Sequence, residues 1–249
     1  MNWMQGRYTL RACWGPRREP PDMLAIRILR TVCALPAIHP DLASWFIYPD
    51  RDSELIDVPT ENYALARIIA NGVSREDDGS PDPTGGFFFH LVNEKVPTPR
   101  RVTVGVHAGS GSTVRMYTNT VRLLTAPLST ENDSLITASV MKKIMLTVAS
   151  IWDVTWCSAA PWLLGPKRPQ DRPDRPWFSQ AWIALLSARF ASVVTPPASI
   201  LSERTPNGDL LMIATEERFD LDNPKHLAAA LEIEDALATA SALPWPQPG

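Results

Sequence analysis

Cysteine is scarce: Cys13, Cys33 and Cys157 are odd in number and far apart, which argues against a disulfide framework and fits a reducing compartment. The histidines His39, His90, His107 and His226 are too dispersed for a local zinc motif, and no cysteine pair offers two ligands at short spacing. Structural or surface roles are therefore expected for them, and no cofactor or metal. Long apolar runs are also missing. Lys, Arg, Asp or Pro interrupts every candidate well short of the roughly 20 residues that a bilayer span needs, so no membrane segment is expected. Met1 to Trp14 lacks the basic start and continuous apolar core of an export signal, and a cytoplasmic location is the expectation. Neither sign of charge dominates. Lys plus Arg number 24 against 27 Asp plus Glu, and a net charge of -3 gives no reason to expect a nucleic-acid or anionic-membrane partner.

What is present suits an ordinary globular protein. The 249 residues are 45 % apolar and 20 % charged, enough to bury a sizeable core, and one domain over residues 1–249 is expected. Tyr8 to Trp14 alternates like a half-buried strand and ends at Gly15 and Pro16. Pro21 to Leu35 has helical periodicity through Leu24, Ile28, Leu29, Val32 and Cys33. Ser44 to Tyr48 reads as a strand, and Thr60 to Gly72 as a helix with Tyr63, Ala64, Ile68 and Ile69 on its apolar face. After a solvated loop from Arg75 to Gly86, three strands are predicted at 86–92, 101–107 and 113–117, with Gly109, Ser110 and Gly111 as a hairpin turn between the last two. Leu135 to Trp152 is the longest predicted helix, with Ile136, Val140, Ile144 and Val148 inward and Lys142 and Lys143 outward.

The prolines between Pro161 and Pro176 predict a long loop. A strand and short helix over 178–187 follow, then a hairpin from 199 to 215 turning at Pro206, Asn207 and Gly208. Asn223 and Pro224 start a last helix with Leu227, Leu231 and Leu237 on its apolar face. Strands grouped together, rather than alternating with helices, predict an α+β fold: a mixed, largely antiparallel sheet with packed helices.

Catalytic motifs do not emerge. The nearest match to a serine-hydrolase elbow has His107 where serine belongs, between Gly105 and Gly109. The run Gly109-Ser110-Gly111-Ser112 leads into a predicted strand, not the helix N-terminus that a phosphate loop uses. Asp77, Asp78, Gly79 and Asp82 look like part of a calcium loop, but lack the later bidentate acid and read better as a solvated turn. Asp50, Asp52, Glu54 and Asp57 suffice in number for a metal-dependent hydrolase, though no lysine pattern completes such a site. Trp45, Trp152 and Trp182 lie in apolar runs and are expected in the core, whereas Trp162, Trp177 and Trp245 lie beside prolines and are candidates for exposure.

The order of several short elements resembles the bacterial immunity protein 52 family. These are Ser44-Trp45-Phe46, Arg75 with Asp77-Asp78-Gly79, Val104-x-Val106-His107-Ala108-Gly109, and Trp152-Asp153-x-x-Trp156. In the second half they are Trp182-Ile183, Glu203-Arg204-Thr205-Pro206-Asn207-Gly208, Ala214-Thr215-Glu216-Glu217-x-Phe219, and Asp222-Asn223-Pro224-x-His226-Leu227. The sequence departs from the pattern where leucine, Leu185 or Leu186, replaces a tyrosine after Trp182, and where Asp209 replaces the second glycine of the hairpin. The resemblance implies a non-enzymatic protein with no catalytic residues. It implies the protective half of a toxin-immunity pair in a polymorphic or type VI secretion system, opposing a nuclease toxin of restriction-endonuclease fold. Metal-dependent hydrolysis by the acidic loops, or a scaffold role in a secretion assembly, are the competing readings.

Silencing a nuclease directs attention to local charge, because a DNA-cleaving protein presents a positive track to phosphate. Three segments each carry four acids against one arginine, for a local charge of -3: Asp50 to Asp57, Arg75 to Asp82, and Glu216 to Asp222. Within them, Glu76, Asp77, Asp78 and Asp82, and Glu216, Glu217, Asp220 and Asp222, are the candidate partner-binding residues.

Overall fold

Alternation of apolar and polar side chains over 8–14 produces β1 (Tyr8–Trp14), a central strand of a ten-stranded sheet in a computed structural model of the chain. The structure describes residues 5–49, 53–113, 119–164 and 181–240. The other strands are β2 (Phe46–Ile47), β3 (Ile56–Asp57), β4 (Phe87–Val92), β5 (Val102–Ala108), β6 (Asn119–Thr125), β7 (Trp156–Pro161), β8 (Ile183–Leu186), β9 (Leu201–Arg204) and β10 (Leu210–Ile213). Their order across the sheet is β3-β2-β4-β5-β6-β1-β7-β8-β10-β9, and every pair is antiparallel. The helices are α1 (Pro21–Ala34), α2 (Asn62–Asn71), α3 (Ala138–Trp152), the single turn α4 (Ala188–Ala191) and α5 (Pro224–Leu237). This is an α+β fold built mostly on its sheet.

The strand pleat sorts side chains onto two faces. Leu10, Ala12 and Trp14 of β1, Phe89 and Leu91 of β4, Val104 and Val106 of β5, and Val121 and Leu123 of β6 enter one cluster. There they meet Leu24 and Ile28 of α1, Leu65 and Ile69 of α2, and Met141, Ile144 and Val148 of α3. Residues of opposite parity point the other way. Over β7, β8 and β10 that second face is covered: Trp156, Ala184, Leu186, Leu210 and Met212 pack with Phe190 of α4 and with Ile233 and Leu237 of α5. Over β4, β5, β6 and β1 it carries Phe88, His90, Thr103, Gly105, Arg122 and Arg11, and contributes only Cys13, at its margin, to the second cluster.

Polar groups pin the connections. Asn119 is fully buried: its Oδ1 accepts from the Ser110 amide at 2.8 Å, and its Nδ2 donates to the carbonyls of Gly15 and Ser110. The nearly buried Glu19 carboxylate accepts from Arg17 Nε at 2.9 Å and Arg27 Nε at 2.7 Å. Those arginines in turn donate to the carbonyls of Trp152 and Ile151, so the carbonyls left open at the end of α3 are satisfied from α1 and the segment before it. Burial lowers the Arg17 pKa from its ordinary value against the opposing pull of Glu19.

The structure corrects several expectations. The strand expected at 113–117 lies largely outside the described residues, and the third strand of the meander is Asn119–Thr125. The turn at Gly109 to Gly111 is therefore the start of a longer β5–β6 connection, held by Asn119. Strands β3 and β7 were not expected, and Pro161 closes β7 because a strand terminus tolerates a missing amide. The rest of the proline-rich stretch is mostly outside the described residues. In α2 the inward residues are Leu65 and Ile69, while Tyr63 is 76 % exposed. In α5 they are His226, Ala230, Ile233 and Leu237, with Leu227 and Leu231 half-buried. Lys142 does not face away: its Nζ lies 2.7 Å from a Glu203 carboxylate oxygen on β9.

Candidate functional site

The acidic segment from Arg75 to Asp82 lies in a hairpin that prolongs β4. Ser74 N–H donates to the Gly86 carbonyl at 2.8 Å, and Asp82 N–H donates to the Ser74 carbonyl. Bridges pair Val73 with Phe87 and Arg75 with Pro81. At the tip the Glu76 amide bonds to the Ser80 carbonyl, and Gly79 takes a φ of 83°, a conformation that favours glycine. Glu76, Asp77 and Asp78 are exposed there, and Asp82 is half-buried.

Their chemistry differs. Asp78 Oδ1 accepts from the Ser80 amide at 2.8 Å, and Asp82 Oδ1 accepts from the Thr84 amide and hydroxyl. Hydrogen bonds from the Ser80 side chain and amide to Asp78, and from the Thr84 hydroxyl and amide to Asp82, hold both carboxyls below their ordinary pKa. Asp78 and Asp82 thus shape the turn, while Glu76 and Asp77 present charge at its tip.

The second segment, 216–222, leads from β10 to α5. Glu216, Glu217, Asp220 and Asp222 are exposed, but several contribute to folding. Asp220 Oδ1 accepts from the Asp222 amide at 2.9 Å, and the Asp220 amide donates to His226 Nδ1 at 2.9 Å. This leaves the proton of a neutral His226 on Nε2, which lies 3.6 Å from Glu217. Arg218 donates to the carbonyls of Ile136 and Asp133, anchoring the segment to the approach to α3.

These two segments do not form one surface. The hairpin leaves the start of β4, whereas 216–222 leaves the end of β10; the register puts these points at opposite ends of the strands. Across the sheet order they are also six strand spacings apart, roughly 29 Å at the usual separation. Of the segment from Asp50 to Asp57, Asp50 and Asp52 lie outside the described residues, and Asp57 on β3 is 3.6 Å from Lys95.

Among the described residues, no three His, Cys, Asp or Glu side chains gather as a metal site would require. His107 is buried and its Nε2 is 2.7 Å from the Gly85 carbonyl; His39 lies between Ser134 and the Asp41 amide. Trp45, Trp152 and Trp182 are all buried. Trp162 is half-buried, and Trp177 and Trp245 fall outside the described residues. Sequence reading passed over Phe88, Arg11 and Arg122. Their signal is positional: each occupies a strand site that alternation assigns to the face away from α1, α2 and α3.

A family model described as Immunity protein 52 matches residues 6–244, nearly the whole chain. The protein belongs to the immunity protein 52 family. Immunity proteins of this family serve by binding a cognate toxin protein. No curated protein matches the sequence. Among solved structures, the fold is similar to that of a T6SS protein of Pseudomonas aeruginosa, with a TM-score of 0.56 at 10 % identity, covering 94 % of this chain and 74 % of that one. At that identity the likeness concerns the fold alone. Among its described residues, this immunity protein has no helix long and apolar enough to cross a membrane.

Proposed function

We propose that this immunity protein acts in the cytoplasm without catalysis of its own, neutralising a nuclease toxin of restriction-endonuclease fold delivered by a type VI secretion system. Membership of the immunity protein 52 family carries the reading; the fold likeness to a T6SS protein is consistent with that setting. The exposed tip carboxylates of Glu76 and Asp77, assisted by Asp78 and Asp82, steer the toxin's positive DNA track toward the hairpin. Glu216, Glu217, Asp220 and Asp222 form a secondary candidate, ranked lower because Asp220 and Glu217 already serve the turn before α5.

Co-expression with the toxin encoded beside this gene tests the reading. Survival of the host and co-purification of the two proteins are expected. Death of the host despite soluble immunity protein would overturn it.

A further inference from the structure

The half of the second sheet face that no described helix covers places like charges against each other. Arg11 of β1 and Arg122 of β6 are directly paired across the ladder. Such a pair weakens a sheet rather than stabilising it. Relief from nearby acids is missing: β1, β4, β5 and β6 contain no Asp or Glu at all. Among the described residues, neither arginine forms an ion pair, and the buried Arg11 Nε has no hydrogen-bond partner. Arg122 is exposed, and its guanidinium is held over the Trp162 ring at 5.4 Å. Partial burial and the neighbouring Arg11 charge both lower its pKa from the ordinary value.

The surroundings shape a receptor for a planar anion with an apolar neighbour. Gly105 is the β5 partner of Arg122, and beyond it stands His90 of β4. A Cβ on Gly105 would meet the His90 ring at 3.3 Å, so glycine keeps a notch open between imidazole and guanidinium. One pleat further along β4, Phe88 is 48 % exposed and stacked on His107, with ring centroids 3.8 Å apart and planes within 7°. This stacking holds a large apolar ring rigidly in solvent, the disposition of an interface anchor.

From the Arg11–Arg122 pair and the exposed Phe88 beside it, we infer that this sheet face docks a carboxylate-bearing surface of the cognate toxin. The guanidiniums take the toxin's Asp or Glu side chains in forked hydrogen bonds, and Phe88 packs against apolar surface next to them. The inference rests on the immunity reading and adds the surface that binds. It also fits the acidic hairpin, which leaves the Phe88 end of β4. A protein that carries a carboxylate cluster within a basic track would meet arginines at the centre and acids at the rim.

The experiment measures affinity for the purified neighbouring toxin, made catalytically inactive, by calorimetry on Arg122→Gln, Arg11→Gln, Arg122→Lys, Phe88→Ala and a control, Lys143→Gln. Arg122→Gln and Phe88→Ala should each weaken binding at least tenfold, with Arg122→Lys falling between Gln and wild type because it keeps charge without the fork. Lys143→Gln should bind like wild type. Arg122→Gln should also melt no lower than wild type, since it removes a repulsion. A lower melt would assign Arg122 a structural role and overturn the inference. Undiminished binding by both Arg122→Gln and Phe88→Ala would overturn it while leaving the immunity reading intact. Failure of the wild type to bind would overturn both. Loss of affinity for a single-stranded oligonucleotide in the arginine variants, with toxin binding unchanged, would reassign the face to phosphate.

Discussion

Single side chains carry much of the stability because they are both buried and bonded. Trp152 is fully buried, packs at a tilt against Trp14 with centroids 5.3 Å apart, and donates Nε1–H to the Thr31 hydroxyl at 3.0 Å. Trp182 is equally buried and donates to the Thr215 carbonyl while meeting Tyr8 edge-on. Replacing either by alanine removes a large buried side chain and leaves a cavity, and should cost about 3–5 kcal/mol in a urea titration. Loss of toxin protection would then follow from unfolding; an unchanged midpoint with lost binding would instead place that tryptophan in the interface. Glu19→Ala should cost a similar amount, about 3–5 kcal/mol, because it leaves Arg17 and Arg27 without their shared, nearly buried carboxylate. An unchanged melting curve for that variant would show that the two arginines find solvent instead.

Elements differ in how freely they can change. The hairpin before β4 has an open tip, with nothing within 4 Å of a Cβ built on Gly79. Its base is tight: a Cβ on Gly72 would come 2.0 Å from the Phe88 carbonyl oxygen, across the bond that Phe88 N–H donates to Gly72. Gly72→Ala should therefore destabilise the protein by about 1–3 kcal/mol, the usual range for overpacking, as read from thermal melts. Charge reversal at the tip should leave folding intact. Glu76→Lys with Asp77→Lys tests steering more cleanly than a change at Asp78, which would also lose the Ser80 turn bond. Association with the toxin should slow more than dissociation speeds up, and the penalty should shrink as salt rises. An unchanged association rate in the folded double variant would remove this hairpin from the steering role.

The whole molecule asks for a negative result as well. The protein by itself is expected not to cut DNA in the presence of divalent metal, because segments 75–82 and 216–222 lie apart and Asp78, Asp82 and Asp220 serve turns. Metal-dependent cleavage abolished by Asp50→Ala or Asp77→Ala would overturn the binding-only reading. Among the described residues, the ten-stranded antiparallel sheet is covered on one face by three helices and on part of the other by α4 and α5. The region that no described helix covers lies on β4, β5, β6 and β1, where regular pairing makes it rigid. A site on such strands needs little ordering on binding, whereas the hairpin tip extends beyond the sheet and suits first encounter.

Local chemistry was readable from the chain alone. Alternation located β1, and β-rich composition located β4 and β5; Asn207 and Gly208 marked the β9–β10 turn, where Gly208 has a φ of 85°; and Asn223 with Pro224 marked the start of α5, where Asn223 Oδ1 caps the Lys225 amide. The ordered motifs also pointed to the family that the match over residues 6–244 shows. Strand β7 was hidden because Trp156 to Pro161 is small-residue-rich and ends in proline, and it is a strand through its pairing with β1 and β8. Helix faces were misjudged in α2 and α5 because periodicity finds an apolar side but not its exact rotation against the neighbours. The acidic segments were legible as charge, but the placement of 75–82 and 216–222 at opposite ends of the strands depends on a strand order that no local pattern encodes. Arg11 and Arg122 are 111 positions apart in the chain and adjacent only through the β1–β6 register. Sequence determines which groups exist and which local turns they favour; long-range pairing decides which of them meet.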